Sequence, residues 1–280
     1  MSGVYIIIPT YNEADNIKAI ITRIMDLNSE FNIVVVDDNS PDGTAAIAQA
    51  MNQLYGNIHI YKRQGKMGIG SAIKDGMKTA LSFPECTFIV TMDADLSHNP
   101  NDIPRLLKEV EGVDLVQGSR YIKGGKIVGW GFHRKCISRI ANFLYRYLFK
   151  LQQHEVTTYF RVYSRKCAEI VVQNVDTDRY EFAFESALII CDYGLKVKEV
   201  PIEFVNRARG KSKLKISDIA QSIRNLLFTF AIRQSRNVDV RRFIKFCTVG
   251  ATGVAVNQGL FWLITDIVGV YYLYAALLSI

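Results

Sequence analysis

The stretch from Phe88 to Asp95 constrains the fold of this chain more than any other. An apolar, β-branched run there ends in two aspartates, Asp93 and Asp95, which are separated by the small residue Ala94. Such a run predicts a buried strand that delivers both carboxylates to the carboxyl edge of a sheet, where open α/β folds bind ligands. A hard divalent cation would relieve the repulsion between the two carboxylates and would also hold substrate phosphates. In isolation the pair is equally compatible with a helix cap and a solvated side chain, so the rest of the chain must decide.

Apolar runs and amphipathic segments alternate along the first two thirds of the chain. Strands are predicted at 4–9, 33–36, 58–61, 88–92, 114–117, 161–163 and 197–205, and helices at 14–27, 44–54, 69–81, 103–110, 137–151 and 182–193. This alternation predicts an α/β fold with a mostly parallel central sheet covered by helices on both faces. Pro201 lies inside the last strand and places it at an edge of the sheet.

Acidic residues follow three of the predicted strands. Glu13 comes after the first strand, Asp37 and Asp38 after the second, and the Asp93–Asp95 pair after the fourth. In a parallel sheet these strand ends lie along one edge. A site for a metal ion and a nucleoside diphosphate would use them naturally: Asp38 or Glu13 would accept hydrogen bonds from base or ribose, while Tyr11 would pack against the base.

Several other classes of site are excluded by the residues that are missing. The loop after the first strand has no glycine, so it lacks the dinucleotide-binding fingerprint, and Val205 stands where a P-loop ending at Gly210-Lys211-Ser212 needs its first glycine. The five cysteines are scattered without C-x-x-C spacing, which indicates reduced thiols and neither a zinc site nor a disulfide framework.

His98 is expected to make a hydrogen bond within its loop and not to bind a metal. The net charge of +7 comes without a nucleic-acid-binding signature, so we expect no nucleic-acid partner.

The last third of the chain has the pattern of a membrane-associated segment. Residues 216–232 show helical apolar spacing, typical of a helix at a bilayer interface, although a helix docked on the protein's own core would show the same spacing. Residues 246–265 carry no charge and are long enough to span a bilayer, and the basic residues before them place the preceding domain in the cytoplasm. Residues 267–280 are apolar but too few for a second span, so we expect a multi-pass or truncated multi-pass membrane protein.

Several motifs together resemble one family. They are Ile8-Pro9-Thr10-Tyr11-Asn12-Glu13, Val36-Asp37-Asp38-Asn39-Ser40-Pro41-Asp42-Gly43, Met92-Asp93-Ala94-Asp95-Leu96-Ser97-His98, Gly118-Ser119-Arg120-Tyr121, Arg134-Lys135-Cys136-Ile137-Ser138-Arg139 and Arg207-Ala208-Arg209-Gly210-Lys211-Ser212-Lys213. In this order they resemble the dolichol-phosphate mannose synthases, which are membrane-associated inverting glycosyltransferases of family 2 with a GT-A fold. The tail from Arg241 resembles the start of a GtrA-like membrane domain. The resemblance implies a GT-A catalytic domain at 1–214, amphipathic interfacial helices or a linker at 215–236, and a transmembrane GtrA-like segment, apparently truncated, at 237–280.

The resemblance also assigns roles to individual residues. It implies that Asp93, Asp95 and Arg120 are the catalytic residues. The expected donor-binding residues are Pro9, Tyr11, Glu13, Val36, Asp38, Asp93, Ala94, Asp95, Arg207 and Lys213. Arg120, Arg134 and Ser138 would bind the acceptor phosphate. Asp95 would be the direct ligand of Mg²⁺ or Mn²⁺, and Ser97 stands where some members have a glutamine ligand.

One segment departs from the family pattern. Glu155 stands where the family usually has Asp, and Tyr159 stands where it has glycine in a Ser-Gly-Phe-Arg motif. The ring of Tyr159 is expected to occupy space near the sugar pocket, which leaves the identity of the sugar open.

The implied reaction is transfer of mannose from GDP-mannose to dolichyl or another polyprenyl phosphate beside a lipid bilayer. The open alternatives are a polyprenyl-phosphate glucosyltransferase that uses UDP-glucose and a non-catalytic membrane adaptor that kept the fold. Because the second pKa of a phosphate monoester is about 6, the acceptor is largely ionised at neutral pH and needs no strong general base.

Overall fold

The computed structural model describes residues 3–178 and 181–206, together with Phe230. The strands in these residues are β1 (Val4–Thr10), β2 (Asn32–Asp37), β3 (Ile58–Lys62), β4 (Phe88–Thr91), β5 (Leu115–Ser119), β6 (Lys126–Val128), β7 (Arg161–Ser164), β8 (Val197–Pro201) and β9 (Glu203–Val205). The helices are α1 (Ala14–Leu27), α2 (Thr44–Tyr55), α3 (Ile69–Leu81), α4 (Ile103–Leu107), α5 (Phe132–Phe149), α6 (Arg165–Asn174) and α7 (Phe182–Asp192).

The central sheet has seven strands in the order β3-β2-β1-β4-β7-β5-β8, and β6 pairs with β9 in a small second sheet. Within the large sheet only β7 runs against its neighbours, β4 and β5. The predicted α/β fold with a mostly parallel sheet is therefore confirmed. The strand that contains Pro201 lies at the edge of the sheet, as its proline requires.

Two apolar clusters cover the two faces of the sheet. One cluster packs α1, α2 and α4 against alternate side chains of the strands, and the other packs α3, α6 and α7 against the intervening ones. On β1, for example, Ile6 and Ile8 belong to the first cluster, whereas Tyr5 and Ile7 belong to the second. This alternation is the two-residue period of a strand that is buried on both faces.

Some element boundaries differ from those predicted. Helix α5 begins at Phe132, five residues before the predicted start. Helix α4 ends at Leu107, three residues before the predicted end, and a 3₁₀ turn at Pro100–Asp102 precedes it. Helix α6 and strand β6 were not predicted. The start of α6 does carry a local signal, because the Ser164 side chain caps it by accepting a hydrogen bond from the Cys167 N–H at 3.2 Å.

The chain divides into two compact units, Met1–Ser222 and Ile223–Ile280, and all the strands and helices above belong to the first. Among the helices in the described part of the chain, none is both long enough and apolar enough to cross a bilayer. The predicted segments at 215–236 and 237–280 lie outside the described residues, apart from Phe230.

Candidate active site at the carboxyl edge of the sheet

The loops that carry the predicted site residues open on one edge of the large sheet. Strand β1 is parallel to both β2 and β4, with Thr10 opposite Asp37 and Ile7 opposite Thr91. Strand β5 is parallel to β4 because both are antiparallel to the strand between them. The segments after β1, β2, β4 and β5 therefore start at the same edge, and the predicted convergence of the acidic strand ends is observed.

Three of these loops contain a non-glycine residue with a left-handed backbone. Asn12, Asn39 and Leu96 have φ angles of 56°, 55° and 61°. Asparagine tolerates this region, whereas a leucine adopts it at an energetic cost. The tight turn at Leu96 lies directly after the two aspartates. Backbone strain of this kind is commonly found where the surrounding structure holds functional side chains in place.

Asp37 connects the first two loops through hydrogen bonds. Its carboxylate accepts hydrogen bonds from Thr10 Oγ1 at 2.9 Å, from the Ser40 N–H at 2.9 Å and from Ser40 Oγ at 2.6 Å. Ser40 Oγ in turn accepts the Asn12 N–H at 3.0 Å. These bonds join the loop after β1 to the loop after β2.

The neighbouring Asp38 lies in a different environment. Its Oδ1 atom lies 3.3 Å from Nε of Arg63, both side chains are less than a tenth exposed, and this oxygen has no hydrogen-bond partner among the described residues. Burial raises the pKa of Asp38, and the charge of Arg63 opposes that rise only in part. A buried carboxylate oxygen without a hydrogen-bond donor suits a ligand that brings one, such as the N–H of a base.

The other residues predicted to contact the nucleoside lie around Asp38 and the loop after β1. Tyr11 is half-buried, and the Lys66 ammonium lies 5.0 Å from the centre of its ring. Glu13 accepts a hydrogen bond from Asn16 Nδ2 at 2.9 Å and precedes the first turn of α1. Pro9 is half-buried, and Val36 is fully buried in the second apolar cluster.

The loop after β4 holds its aspartates in defined orientations. Asp95 is 8% exposed, and its Oδ1 atom accepts the Ser97 N–H at 3.0 Å. The Ser97 residue is itself only 2% exposed. The side chain of Asp93 is 25% exposed, so it is the more open of the two carboxylates. Ala94 between them is buried, as a small residue in a tight turn can be.

His98 supports the loop after β4 through ring contacts and a hydrogen bond. Its ring stacks on Phe160 at a centroid distance of 5.0 Å and contacts Phe204 edge-on at 5.3 Å. Nδ1 accepts a hydrogen bond from the Asp93 N–H at 3.3 Å, so the predicted hydrogen bond within this loop is observed. Burial lowers the pKa of His98 to about 3, and the ring is therefore neutral at physiological pH.

Arg120 follows β5 and is held by the buried Glu155. The Arg120 Nε donates to Glu155 Oε1 at 2.7 Å, Nη2 pairs with the same oxygen, and the Arg120 N–H donates to Oε2 at 2.7 Å. The side chain is 7% exposed and that of Glu155 is fully buried. Burial alone would lower the pKa of Arg120, but the Glu155 carboxylate and, to a smaller extent, Asp93 raise it above its ordinary value. Arg120 is thus a fixed cation close to Asp93.

Trp130 brings the predicted acceptor-binding residues together. The Arg134 guanidinium lies 3.9 Å from the centre of the Trp130 ring, and that of Arg120 lies 5.2 Å from it. Ser138 accepts a hydrogen bond on its Oγ from the hydroxyl of Tyr121 at 2.7 Å. Arg120, Arg134 and Ser138 therefore form one basic cluster around two aromatic rings.

Sequence analysis missed the supporting residues of this cluster. In the sequence Glu155 is only a departure from the family pattern, Gly129-Trp130 is part of the family resemblance without an assigned role, and Phe204 gives no signal. A buried glutamate beside a buried arginine is recognisable only once the fold is known, because 35 residues separate them in sequence. The predicted donor residues Arg207 and Lys213 lie outside the described part of the chain. Tyr159 is half-buried and packs against the second apolar cluster.

Comparisons with known proteins agree with this geometry. Residues 5–171 match Glycosyl transferase family 2, and residues 219–280 match the family described as GtrA/DPMS, transmembrane domain. A dolichol-phosphate mannosyltransferase from Pyrococcus furiosus is 36% identical over 272 residues, which cover 94% of this chain and 73% of the relative. A polyprenol monophosphomannose synthase from Mycolicibacterium smegmatis is 37% identical over 221 residues, which cover 78% of this chain and 83% of the relative.

Solved structures share the fold at lower sequence identity. Glucosyl-3-phosphoglycerate synthase from Mycobacterium tuberculosis superposes with a TM-score of 0.60 at 18% identity and covers 84% of this chain and 80% of that one. A mannosyltransferase from Pyrobaculum calidifontis, solved in complex with GDP-Man and Mn²⁺, gives a TM-score of 0.51 at 18% identity and covers 84% of this chain and 64% of that one. The chain therefore belongs to glycosyl transferase family 2, in which it is a GT-A-fold enzyme of the dolichol-phosphate mannose synthase group with a GtrA-type transmembrane domain.

Proposed function

We propose that this enzyme transfers mannose from GDP-mannose to dolichyl or another polyprenyl phosphate with inversion at the sugar. The observation that carries the proposal is that the strands before Asp38, Asp93 and Arg120 end at one edge of the sheet, where the Asp93 charge acts on Arg120 and Trp130 joins Arg120 to Arg134. The aspartates suit a nucleoside diphosphate with a cation, and the basic cluster suits the phosphate of the acceptor. The names of the two relatives combine mannose with dolichol phosphate or a polyprenol monophosphate.

The donor would lie over the loops after β1, β2 and β4. Asp38 is proposed to face the base, together with Pro9, Tyr11, Glu13 and Val36, on the basis of the family motif. Asp93, Ala94 and Asp95 would then meet the ribose and the diphosphate. Arg207 and Lys213 are proposed to contact the donor phosphates on the basis of the family motif alone.

The carboxylates of the β4 loop fit a divalent cation. No cluster of three or more His, Cys, Asp or Glu side chains suited to a metal occurs among the described residues. Mg²⁺ and Mn²⁺ sites of this kind need fewer protein ligands, since one or two carboxylates suffice when substrate phosphates and water complete the shell. Asp95 is the proposed direct ligand, and Ser97 would contribute at most through its hydroxyl while its N–H fixes the Asp95 carboxylate. When bound, the cation would neutralise charge on the departing diphosphate.

The basic cluster would bind and orient the nucleophile. An oxygen of the acceptor phosphate attacks C1 of mannose, the bond from C1 to the β-phosphate oxygen breaks, and the electron pair leaves with GDP. Since that phosphate is already largely ionised, no side chain has to remove a proton. Arg120 and Arg134 present guanidinium groups that hold a phosphate by several hydrogen bonds, and Ser138 supplies a hydroxyl. These three residues would hold the acceptor phosphate within reacting distance of the anionic donor.

The membrane setting of the reaction is part of the proposal. The match to a transmembrane domain at 219–280 supports membrane association. The basic residues before residue 246 support a catalytic domain on the cytoplasmic side, with interfacial helices or a linker at 215–236 and the spanning segment at 237–280.

The test is a transfer assay in membranes that contain the full chain. Labelled GDP-mannose or UDP-glucose is supplied with a polyprenyl phosphate, with and without a chelator, and the lipid extract is counted. We expect chelator-sensitive label from GDP-mannose only. The Asp95→Asn variant should lose at least about a hundredfold in rate, whereas Asp26→Asn, on the exposed far end of α1, should leave it unchanged. If only UDP-glucose gives labelled lipid, the transferred sugar is glucose and not mannose. Normal transfer by the Asp95→Asn variant would refute the assignment of Asp95 as the metal ligand.

A further inference from the structure

Strand β9 lies between the loop after β4 and the small strand β6. On one side, Phe204 forms an isolated antiparallel bridge with His98, and the Val205 N–H donates to the carbonyl oxygen of Ser97 at 3.2 Å. On the other side, β9 pairs in parallel with β6, which leads on to Trp130. The backbone of β9 therefore connects the loop that carries the two aspartates, residues 92–98, to the segment that carries Trp130. We refer to residues 92–98 as the acidic loop.

The side chain of Phe204 contacts groups from both halves of the site. Its ring meets the His98 ring edge-on at a centroid distance of 5.3 Å and the Trp130 ring edge-on at 5.5 Å. The Arg120 guanidinium lies 5.0 Å from the centre of the same ring. His98 belongs to the acidic loop, whereas Arg120 and Trp130 belong to the basic cluster. A single half-buried ring therefore packs against both halves.

Each half is also held by contacts that do not involve Phe204. In the acidic loop, the Ser97 N–H donates to Asp95 at 3.0 Å. In the basic cluster, Nε of Arg120 donates to Glu155 at 2.7 Å. Removal of the Phe204 ring should therefore leave the side chains oriented within each half. What it should loosen is the distance between the halves.

That distance matters because the two halves act on each other and would hold different anions. The Asp93 carboxylate contributes to the raised pKa of Arg120, so the acidic loop and the basic cluster lie within electrostatic range. A displacement of about 1 Å between two reacting groups can lower a rate on the order of a hundredfold. An aromatic ring is a suitable spacer, since it is rigid and its face attracts a guanidinium group.

We propose that Phe204 is a positioning residue that sets the distance between the acidic loop and the basic cluster, and hence between the two substrates. The ring acts through His98 on one side and through Arg120 and Trp130 on the other. Its effect on the reaction rests on the proposed function, whereas the packing link between the two halves does not.

The test uses the full chain in membranes. Phe204→Leu and Phe204→Met remove the ring but keep an apolar side chain, and Phe204→Tyr keeps the ring. Phe83→Leu is the matched control, because the half-buried Phe83 also packs on aromatic rings, at 5.1 Å from Tyr5 and 4.8 Å from His59. Phe83 precedes β4 and so lies at the opposite end of that strand from the acidic loop. Protection of the buried Cys167 from thiol reagents verifies that each variant is folded.

Steady-state transfer is measured with GDP-mannose and polyprenyl phosphate each varied in turn. We expect both ring-free variants to lower kcat by about ten- to a hundredfold. Both KM values should stay within about threefold, because each half keeps its own hydrogen bonds and the loss falls on the transition state. Phe204→Tyr and Phe83→Leu should keep kcat within about threefold of the unchanged chain.

Three kinetic outcomes would overturn the proposal. A rise in only one KM with an unchanged kcat would make Phe204 part of a single binding site. Ring-free variants with the kinetics of Phe83→Leu would leave the ring without a role in positioning. A loss of kcat in Phe204→Tyr equal to that in Phe204→Leu would show that the ring is not what matters.

Amide hydrogen exchange, read by mass spectrometry, tests the link without the reaction. We expect residues 92–98 and residues 118–134 both to exchange at least about threefold faster in Phe204→Leu, since local opening becomes easier when packing is lost. Phe83→Leu should leave both segments unchanged. Faster exchange in one segment alone, or in neither, would refute the link. If the unchanged chain transfers no mannose while both segments open in Phe204→Leu, the proposed function fails and the link stands.

Discussion

At the scale of single residues, the site is built from charges that are buried together with a partner. Arg120 is paired with Glu155 and lies near the faces of Trp130 and Phe204, at 5.2 Å and 5.0 Å from the ring centres. Burial of two charges is tolerated when each is hydrogen-bonded to the other, whereas removal of one leaves the other without compensation. Glu155 is therefore a positioning residue that acts through Arg120.

Replacement of Glu155 tests this role. In Glu155→Gln the Arg120 guanidinium loses its counter-charge, and we expect the free energy of unfolding to fall by about 3–5 kcal/mol. A guanidinium displaced by about 1 Å should lower kcat/KM for the polyprenyl phosphate on the order of a hundredfold. Glu155→Asp keeps the charge and restores the residue common in the family, so it should recover most of the activity. Kinetics with varied acceptor, measured beside unfolding curves, distinguish the two effects. Equal acceptor kinetics in Glu155→Gln and the unchanged enzyme would show that Glu155 does not position Arg120.

At the scale of secondary-structure elements, close packing decides where the site loops start. Helix α3 approaches strands β1 and β2 at Gly76, where an added Cβ would lie 2.5 Å from Ile7 Cγ2 and 3.0 Å from Val36 Cγ2. Both partners are fully buried, so neither side chain can move away. Since Val36 directly precedes Asp37 and Asp38, the packing of this helix also supports the end of β2.

The Gly76→Ala substitution measures this packing. Alanine in a helix normally stabilises by about 1 kcal/mol relative to glycine. Here the clash should outweigh that gain, and we expect a net loss of about 1–3 kcal/mol in unfolding free energy. Gly131→Ala, at the start of α5, is the control, because an added Cβ there meets no atom within 4 Å. Chemical unfolding of both variants gives the comparison, and a stabilised Gly76→Ala variant would refute the close approach.

At the scale of the whole molecule, the two apolar clusters bury thiols whose chemistry reports on the fold. Cys86 and Cys167 are 1% and 0% exposed, and burial raises their pKa values to about 11 and about 12. Because a thiol reacts as its thiolate, the reactive fraction of either group at pH 8 is roughly one in a thousand or less. Cys191 is exposed on α7.

Alkylation of the native chain should therefore be selective. We expect the exposed Cys191 to be modified at pH 8, while Cys86 and Cys167 stay unmodified between pH 7 and pH 9. Their raised pKa values mean that their thiolate fractions increase only at more alkaline pH. Peptide mass spectrometry after quenching identifies the modified residues, and the same reaction in guanidinium should modify all of them. Modification of Cys167 in the native chain at a rate equal to that of Cys191 would contradict the described core.

The sequence by itself determined the alternation of strands and helices, the mostly parallel sheet and the position of Asp38, Asp93 and Asp95 after strands that end at one edge. These follow from local apolar periodicity and from the rule that parallel strands end on the same side. Only the tertiary structure decided that Asp37 ties two loops together while Asp38 faces Arg63, that Glu155 holds Arg120, and that Trp130 joins Arg120 to Arg134. It also revealed the exposed apolar side chains of α5. The physical reason is that each of these depends on contacts between residues far apart in sequence, and such contacts leave no periodic signal in the chain.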